Sequence, residues 1–257
     1  MGAKPGELIV HGAPASQPSR AVYWACLIQG LPFEPRALDL DALGPDGPLL
    51  RLNPTGQIPI LEDGDFAVFE MPAILIYLAE KYGGADLLPQ DLRARTRVHQ
   101  YLHHHHNFTR RVTMELMAPF VTVAFPERMK GTPVEALLDD PEKLAKGRAV
   151  ATRVAGLIEN GFFADGASHL CASHPTIADI ACYEELAQLR WAGLFAFDGF
   201  PKLQRWLDAM EALPGHEAAH HYNLALGDVC TEPNTIERFM AAMTAGMAAL
   251  EEARPRH

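Results

Sequence analysis

Three residues in the N-terminal part of the chain combine a residue type and a position that could serve chemistry. Ser16 stands between an apolar run and a predicted helix start, Pro59 interrupts a second apolar run, and Glu70 precedes another predicted helix. A helix N-terminus attracts anions through its free N–H groups and its dipole. A strand edge interrupted at a proline leaves backbone groups free to pair with an extended peptide, and Glu70 would hold a cation. The set predicts a site for a short zwitterionic peptide.

The elements that must position these residues alternate between short apolar runs and helical periodicity. We predict, in order, a strand at Glu7–His11, a helix that begins near Pro18 and stops at Gly30, a strand at Phe33–Leu40, and a loop with a short helical turn at 41–52. Strands at Ile58–Leu61 and Phe66–Phe69 follow, and then a helix at Pro72–Tyr82 whose buried stripe is Ala73, Ile74, Tyr77 and Leu78. Ser16 would cap the first helix. Pro59, inside a strand, should lie at a sheet edge or follow a cis peptide bond.

A Gly/Pro linker at 83–91 separates this module from a part of the chain with helical patterns only. We predict helices at Leu92–Met117, which Pro119 interrupts, and at Pro141–Phe162, Thr176–Trp191, Pro201–Leu213 and Thr235–Ala253. Thr176 and Asp179 form a variant capping box at one of these starts. The predicted organisation is an α+β domain at 5–84, an all-helical domain at 92–230 and a C-terminal helical extension at 231–257.

The composition argues against several classes of protein. The 257 residues carry 32 acidic and 22 basic side chains, and this net charge of −10 speaks against a nucleic-acid partner. No window approaches roughly 18 apolar residues, so we predict no membrane contact, and Met1–Glu7 lacks the apolar core of a signal peptide. We therefore predict a cytoplasmic protein whose cysteines, Cys26, Cys171, Cys182 and Cys230, are reduced thiols without a CxxC pair.

Several segments in the expected order resemble the glutathione S-transferase family, and most of all its theta class. They are Ser16–Tyr23, Asn53–Pro59, Asp63–Phe66 followed by Ala73–Leu78, the stretch 92–111 and Thr176–Leu186. The resemblance covers residues 7–228. It implies an α+β thioredoxin-like N-terminal domain plus an all-α C-terminal domain, in a homodimer. It also implies an enzyme of detoxification that uses glutathione as co-substrate, without a metal, to conjugate or dehalogenate a small electrophile.

The resemblance makes Ser16 the catalytic residue, which donates a hydrogen bond to the glutathione sulfur. A free thiol has a pKa of about 8.5, and a donor together with a helix N-terminus lowers it, so more thiolate is present at neutral pH. Without the resemblance, Ser16 would be interpreted as a plain helix cap. Ser19 is a second candidate for the same role, although it falls inside the predicted helix.

The resemblance also assigns the residues that bind glutathione. The backbone of Ile58 would pair with the cysteinyl part, presented by a cis Pro59, while Gln57 reaches the glycyl end. Glu70 would face the γ-glutamyl amine. The loop 41–52 lacks the His or Lys that the class often places near the glycyl carboxylate, and Arg51 is the available substitute.

Two further binding positions depart from the family pattern. Met71 stands where the family usually has Ser or Thr, so its N–H remains for the γ-glutamyl carboxylate but the hydroxyl is lost. The loss of one hydrogen bond to a charged group costs about 1.5–3 kcal/mol, a roughly ten- to hundredfold weaker binding. Asn107 aligns with an Asp that reaches the ligand of the partner subunit. We expect weak glutathione affinity from these changes.

The run His103–His106 has three interpretations. The resemblance places His105, together with Arg110, in the substrate pocket beside the active site. The run could also be solvated helix surface, or a metal site, because His103 and His106 share a helix face. No acid or cysteine at ligand spacing supports a metal. The aromatic residues Phe120, Phe125, Trp191 and Trp206 could line an apolar pocket, but such residues more often form the core.

Two functions other than the transferase stay open at this stage. Met71 favours a non-catalytic binding or interaction protein on the same fold, with weak glutathione affinity, because fold does not fix function. The third hypothesis is a thiol–disulfide or glutathionylation enzyme. The lack of a cysteine beside Ser16 counts against it, because Cys26 would lie about two helical turns away.

Overall fold

A computed structural model describes residues 8–37, 47–83, 86–163 and 167–256. The chain divides into two compact units. The first contains Met1–Leu88, Leu213–Tyr222 and Met243–His257, and the second contains Pro89–Ala212 and Asn223–Ala242. The last part of the chain therefore contributes to both units.

The first unit is built on a four-stranded mixed sheet. Its strands are β1 (Leu8–Gly12), β2 (Phe33–Ala37), β3 (Ile60–Asp63) and β4 (Phe66–Phe69), in the spatial order β2-β1-β3-β4. β1 runs parallel to β2 and antiparallel to β3, and β3 runs antiparallel to β4. The parallel pair needs a crossover, which helix α1 (Gln17–Ile28) supplies, and helix α2 (Met71–Tyr82) follows β4.

This order of elements confirms the prediction, with differences at the ends of elements. Glu7 and the predicted end of the second strand at Leu40 lie outside the described residues, as does most of the predicted loop 41–52. The end of that loop forms a 3-10 turn at Pro48–Arg51. Pro59 follows a cis peptide bond, as one of the two predicted alternatives, and precedes β3 rather than interrupting it.

The buried stripe of α2 differs from the prediction. Ile74 and Leu78 are buried as expected, and Leu75 is buried beside them. Ala73 is exposed and Tyr77 is only half-buried, so these two predicted core residues are wrong. The phenol of Tyr77 stays at the rim because its hydroxyl donates to a carboxylate at the end of β3, at 2.9 Å.

The described residues of the second unit are helices, turns and loops. Its helices are α3 (Leu92–Asn107), α4 (Ala118–Val121), α5 (Pro126–Met129), α6 (Glu135–Leu138), α7 (Lys143–Leu157), α8 (Ile177–Trp191) and α9 (Pro201–Glu211). Helices α10 (His216–Leu226) and α11 (Ile236–Ala253) contribute to both units. The prediction missed α10 and the short helices α4–α6. In the described ranges, no helix is long and apolar enough to cross a bilayer.

The predicted long helix at Leu92–Met117 is wrong. α3 ends at Asn107, and Phe108 leaves helical geometry at φ −128° and ψ −64°. No Pro or Gly marks this break, so tertiary contacts override the helical pattern of the sequence. Pro119 does not end the helical run either: a π-helical turn at Thr113–Met117 leads directly into α4, and Pro119 is the second residue of α4.

Asp179 holds together the start of α8. The predicted capping box is present: Thr176 accepts a hydrogen bond from Ala178 N, and Asp179 Oδ2 accepts from Thr176 N and Oγ1, each at 2.9 Å. The other carboxylate oxygen accepts from Leu170 N and Trp206 Nε1, both at 2.9 Å. One fully buried carboxylate thus joins a loop, the helix start and the ring of a residue on α9.

A second buried carboxylate starts α9. Glu159 lies in a π-helical turn at Ile158–Phe162, and its oxygens accept from Lys202 N at 3.1 Å and Leu203 N at 2.9 Å. These are N–H groups of the first helical turn, which have no acceptor within the helix. Glu159 therefore caps α9 from a distant part of the chain, where no local capping residue stands.

Two C-terminal segments pack against the first unit's α+β module. The indole Nε1 of Trp24 donates to Pro214 O at 3.1 Å, and its ring meets that of His220 edge-on, with 4.7 Å between centroids. Beyond α11, Arg254 Nη1 donates to Phe33 O at 3.0 Å. These contacts fix α10 on α1 and the end of the chain on β2.

Asp179→Ala should strongly destabilise the protein, because three buried N–H donors and one hydroxyl lose their acceptor. We expect a loss of about 3–5 kcal/mol in the free energy of unfolding, measured by urea denaturation. The control is Asp208→Ala, which removes a carboxylate that is 69% exposed and pairs with Arg190. That loss should stay below about 1 kcal/mol. Equal unfolding midpoints for wild type and Asp179→Ala would contradict this account.

Candidate active site

The sheet brings the three residues that opened the sequence analysis to one of its ends. Ser16 follows β1, Pro59 precedes β3, and Glu70 follows β4. His11 near the end of β1 lies opposite Ile60, the first residue of β3, which in turn lies opposite the last residue of β4. The loop after β1, the cis proline and the start of α2 therefore lie at the same end of the sheet, although they are far apart in sequence.

Ser16 occupies the N-cap position of α1, with extended backbone at φ −86° and ψ 118°. Its Oγ accepts a long hydrogen bond from Ser19 N, at 3.4 Å. Its own hydroxyl hydrogen has no acceptor among the described residues. Ser16 is half-buried, whereas the alternative candidate Ser19 is fully buried. The hydroxyl of Ser19 also has no partner among the described residues, but of the two hydroxyls only that of Ser16 is accessible.

Asn53 shapes the loop that presents Ile58 and Pro59, a role that the sequence analysis missed. Its side chain is buried, its Nδ2 donates to Gln57 O at 2.8 Å, and its Oδ1 accepts from Thr55 N at 3.0 Å. The Asn-Pro turn signal was visible in the sequence, but its use in holding the residue before the cis proline was not. Gln57 is exposed and Ile58 half-buried, so both are open to a ligand.

The start of α2 is open and strained. Glu70 is exposed, and its backbone has φ 70° and ψ 111°, a left-handed conformation that non-glycine residues adopt at a cost of about 1–3 kcal/mol. Among the described side chains, none caps this helix. Pro72 has no N–H, so Met71 and Ala73 carry the free N–H groups of the first turn. Free N–H groups of this kind at a helix start are donors suited to an anion, and here they lie beside the Glu70 carboxylate.

The C-terminal helix reaches the loop that carries Ser16. A Cβ placed on Gly246 of α11 would come within 2.9 Å of the Cβ of Pro14 and 3.1 Å of the Cβ of Tyr222. α11 therefore passes Pro14 at a separation that only glycine permits. The second half of α11, which includes Gly246, belongs to the first unit. Pro14, which Gly246 meets, stands two residues before Ser16 in the sequence.

The remaining predicted site residues lie in the second unit, at and after the end of α3. Asn107 is exposed, and the side chain of Arg110 is 29% exposed. His105 is fully buried, its ring facing the hydroxyl of Tyr101 at 3.4 Å through Nδ1. Asn107 and Arg110 are therefore open to a ligand, whereas His105 is not.

Arg110 meets a buried acid that the sequence analysis did not single out. Its Nη1 lies 3.3 Å from Glu185 Oε1, and His105 Nε2 lies 3.6 Å from the same oxygen. Thr113 Oγ1 donates to the other oxygen of Glu185. Burial by itself would raise the pKa of Glu185, but His105, Arg110 and Thr113 together hold that pKa below its ordinary value. Glu185 is thus an anion at neutral pH.

None of the four cysteines is an activated thiol. Burial raises the pKa of Cys26 to about 12, and burial likewise raises that of Cys171 to about 12. Burial raises the pKa of Cys182 well above its ordinary value and also raises that of Cys230. A nucleophilic cysteine needs the opposite shift. The thiol chemistry of the third hypothesis therefore has no support in these side chains.

The histidine run does not gather metal ligands. Within the described ranges, no group of three or more His, Cys, Asp or Glu side chains could hold a metal ion. His103 and His106 are exposed, while His104 packs its ring on Phe108 at 4.8 Å. Burial lowers the pKa of His104.

The four aromatic residues that could line a pocket have different surroundings. Trp206 is buried and contacts Asp179, so it belongs to the core. Phe120, Phe125 and Trp191 are half-buried. Phe125 meets Phe239 edge-on, with centroids 4.8 Å apart.

Comparison with known proteins agrees with this arrangement. Residues 10–86 match the family model "Glutathione S-transferase, N-terminal domain", and residues 140–218 match "Glutathione S-transferase, C-terminal domain". Human glutathione S-transferase theta-1 is 36% identical over 234 residues, which cover 87% of this chain and 91% of that protein.

Solved structures give the same result for the whole chain. Human glutathione-S-transferase T1-1 in its apo form aligns with a TM-score of 0.73 at 31% identity, over 97% of this chain and 100% of that one. Human glutathione transferase theta-2 in complex with glutathione aligns with a TM-score of 0.70 at 31% identity, over 94% of this chain and 98% of that one. The chain therefore belongs to the glutathione S-transferase family of enzymes, with a thioredoxin-like domain, a helical domain and a theta-like sequence.

Proposed function

We propose that the protein transfers glutathione to small electrophiles, by conjugation or dehalogenation, through a thiolate that Ser16 stabilises. The observation that carries this proposal is the hydroxyl hydrogen of Ser16, which has no acceptor among the described residues and stands at a helix N-terminus. The thiol gives its proton to solvent, and the thiolate attacks the electrophilic carbon. A C–S bond forms, and the bond to the leaving group breaks with its electron pair, which releases a halide where the substrate is a halide.

Glutathione binding would use the shared end of the sheet. We assign the γ-glutamyl carboxylate to the free N–H groups of Met71 and Ala73, and the γ-glutamyl amine to Glu70. The cysteinyl backbone would pair with Ile58 ahead of the cis Pro59, and Gln57 would reach the glycyl end. Support comes from the uncapped start of α2 and from the human theta-2 relative, whose structure contains glutathione.

The electrophile would meet residues of the helical domain. We assign it to Arg110, whose side chain is partly exposed, with the C-terminal extension closing over the loop that carries Ser16. The contact of Gly246 with Pro14 supports that closure. His105, which is buried, would act behind Arg110 rather than touch the substrate.

We also propose a homodimer, in which Asn107 faces the ligand of the partner subunit. β4 is an edge strand, and each of its four residues, all apolar, is exposed or half-buried. Phe66 is 46% exposed, and its ring packs at a tilt against that of Tyr77, with centroids 5.0 Å apart. Uncovered apolar edge strands promote association, and a second copy would bury this one. The cytoplasmic location stays a prediction from the sequence.

Ser16→Ala should lower kcat/KM for transfer to 4-nitrobenzyl chloride at pH 7 by roughly eight- to twentyfivefold. That range follows if the hydroxyl lowers the thiol pKa by about one to two units from 8.5. The defect should shrink as the pH rises past 8.5, because free thiol then ionises unaided. Ser19→Ala is the matched control and should keep the wild-type pH profile. An unchanged rate at pH 7 for Ser16→Ala would remove the role assigned to Ser16.

Met71→Ser should bind glutathione roughly ten- to hundredfold more tightly than Met71→Ala, because it restores a hydroxyl beside the γ-glutamyl carboxylate. Met71 is 6% exposed, so both small side chains leave a similar cavity and the pair isolates the hydroxyl. Titration calorimetry measures the difference. Equal affinities would refute this carboxylate assignment, and no heat from wild type at millimolar glutathione would favour the non-catalytic binding protein.

Phe66→Asp should convert the dimer to a monomer, because it places a charge on the proposed interface. Sedimentation velocity at micromolar protein measures this change. Leu224→Asp, at a residue that is 43% exposed in the second unit, is the control and should remain dimeric. A dimeric Phe66→Asp protein would show that β4 is not the interface, and a monomeric wild type would rule out the homodimer.

A further inference from the structure

We propose that Glu185 is a positioning residue for the electrophile, which it serves by holding the guanidinium of Arg110. The proposal rests on the proposed function, in which Arg110 faces the electrophile. It adds the residue that fixes the Arg110 side chain. Glu185 lies on α8, and Arg110 lies in the turn that follows α3.

The carboxylate of Glu185 is held on both sides. One oxygen faces Arg110 Nη1 at 3.3 Å and His105 Nε2 at 3.6 Å. The other oxygen accepts from Thr113 Oγ1, which itself accepts from Gln188 Nε2 at 2.6 Å. The Glu185 side chain is 1% exposed. Because each oxygen has its own partners, the carboxylate cannot rotate away from Arg110 without losing one of them.

Arg110 is the end of this network that reaches solvent. Its side chain is 29% exposed, whereas those of Glu185 and His105 are each 1% exposed. Only Nη1 has a side-chain or backbone acceptor among the described residues, so Nη2 and Nε remain free to donate to a ligand. A guanidinium that is already fixed loses less rotamer freedom when a ligand binds.

The backbone around Arg110 supports the same conclusion. α3 breaks at Phe108, and Arg110 N donates to His105 O at 3.0 Å, a bond that spans five residues. This turn lifts Arg110 out of the helical register and towards Glu185. A fully buried carboxylate contributes less to stability than a well-packed apolar residue would. Its presence here is explained by the position it gives to a partly exposed cation.

A double-mutant cycle between Glu185 and Arg110 tests the proposal. Glu185→Gln, Arg110→Ala and the double variant are compared for transfer of glutathione to 4-nitrobenzyl chloride. Each single variant should lose about five- to tenfold in kcat/KM for the electrophile, with an unchanged KM for glutathione. The double variant should match Arg110→Ala within about twofold, because Glu185 acts only through Arg110.

Glu159→Gln is the matched control. It also removes a buried negative charge from the second unit, but Glu159 caps α9 and does not contact Arg110. It should lower the thermal midpoint and leave kcat/KM unchanged. If Glu159→Gln lowers kcat/KM as Glu185→Gln does, loss of a buried charge explains the effect and the proposal fails. Two other results would also overturn the proposal. One is a double variant whose loss in kcat/KM is the product of the two single losses, and the other is a Glu185→Gln enzyme with wild-type kcat/KM.

Binding of the product S-(4-nitrobenzyl)glutathione, measured by calorimetry, gives a second readout that does not need turnover. If the effects of the two substitutions on the Kd of this product are non-additive in the same way, the role of Glu185 is supported. A wild-type protein that binds the product but does not react with the chloride would count against the proposed function alone. If Glu185→Gln does not fold, Glu185→Asp replaces it in the cycle, since it keeps the charge but withdraws it by one methylene. Additive Kd effects would overturn the proposal with either variant.

Discussion

The unpaired N–H groups at helix starts are the constraint on which this structure depends. Every helix must find acceptors for the first of these groups. At two helix starts of the second unit, buried carboxylates supply them: Asp179 within the capping box of α8, and Glu159 at the start of α9. In the first unit, Ser16 caps α1 through one bond of 3.4 Å, and no described side chain caps α2. At one end of the sheet, these two helix starts are thus capped weakly or not at all, which is what the proposed binding of an anionic peptide needs.

Buried acids also give the helical unit a fixed frame, to which the partly exposed Arg110 is attached. Asp179, Glu159 and Glu185 are all buried, and each accepts from partners far away in sequence. Such networks are costly when one partner is missing, so their members are held in single positions. Arg110 is attached to this frame at one nitrogen, whereas the residues assigned to glutathione depend mostly on backbone geometry.

Local signals explain what could be predicted from the sequence. The helix start at Ser16, the cis peptide before Pro59 and the capping box at Thr176 each follow from residues within a few positions, and all three are present. The order of the strands along the chain followed from apolar runs and turn residues. A helix that opens at Pro72, just after Glu70, was also predicted, and α2 begins one residue earlier, at Met71.

Long-range contacts explain what could not be predicted. The end of α3 at Asn107 has no local breaker and coincides with the turn that brings Arg110 to Glu185. Asn53 and Glu185 looked like an ordinary turn residue and an ordinary helix acid, because their roles depend on partners that only the fold brings near. For the same reason, His105 was predicted to line a pocket although it is buried.

The proposed function depends above all on the start of α1, which we propose to ionise the thiol of bound glutathione. A titration of the wild-type protein with saturating glutathione, followed by the ultraviolet absorbance of the thiolate, measures the pKa of that thiol directly. We predict a pKa at least about one unit below the value near 8.5 of a free thiol. A bound thiol that titrates at the free value would contradict it.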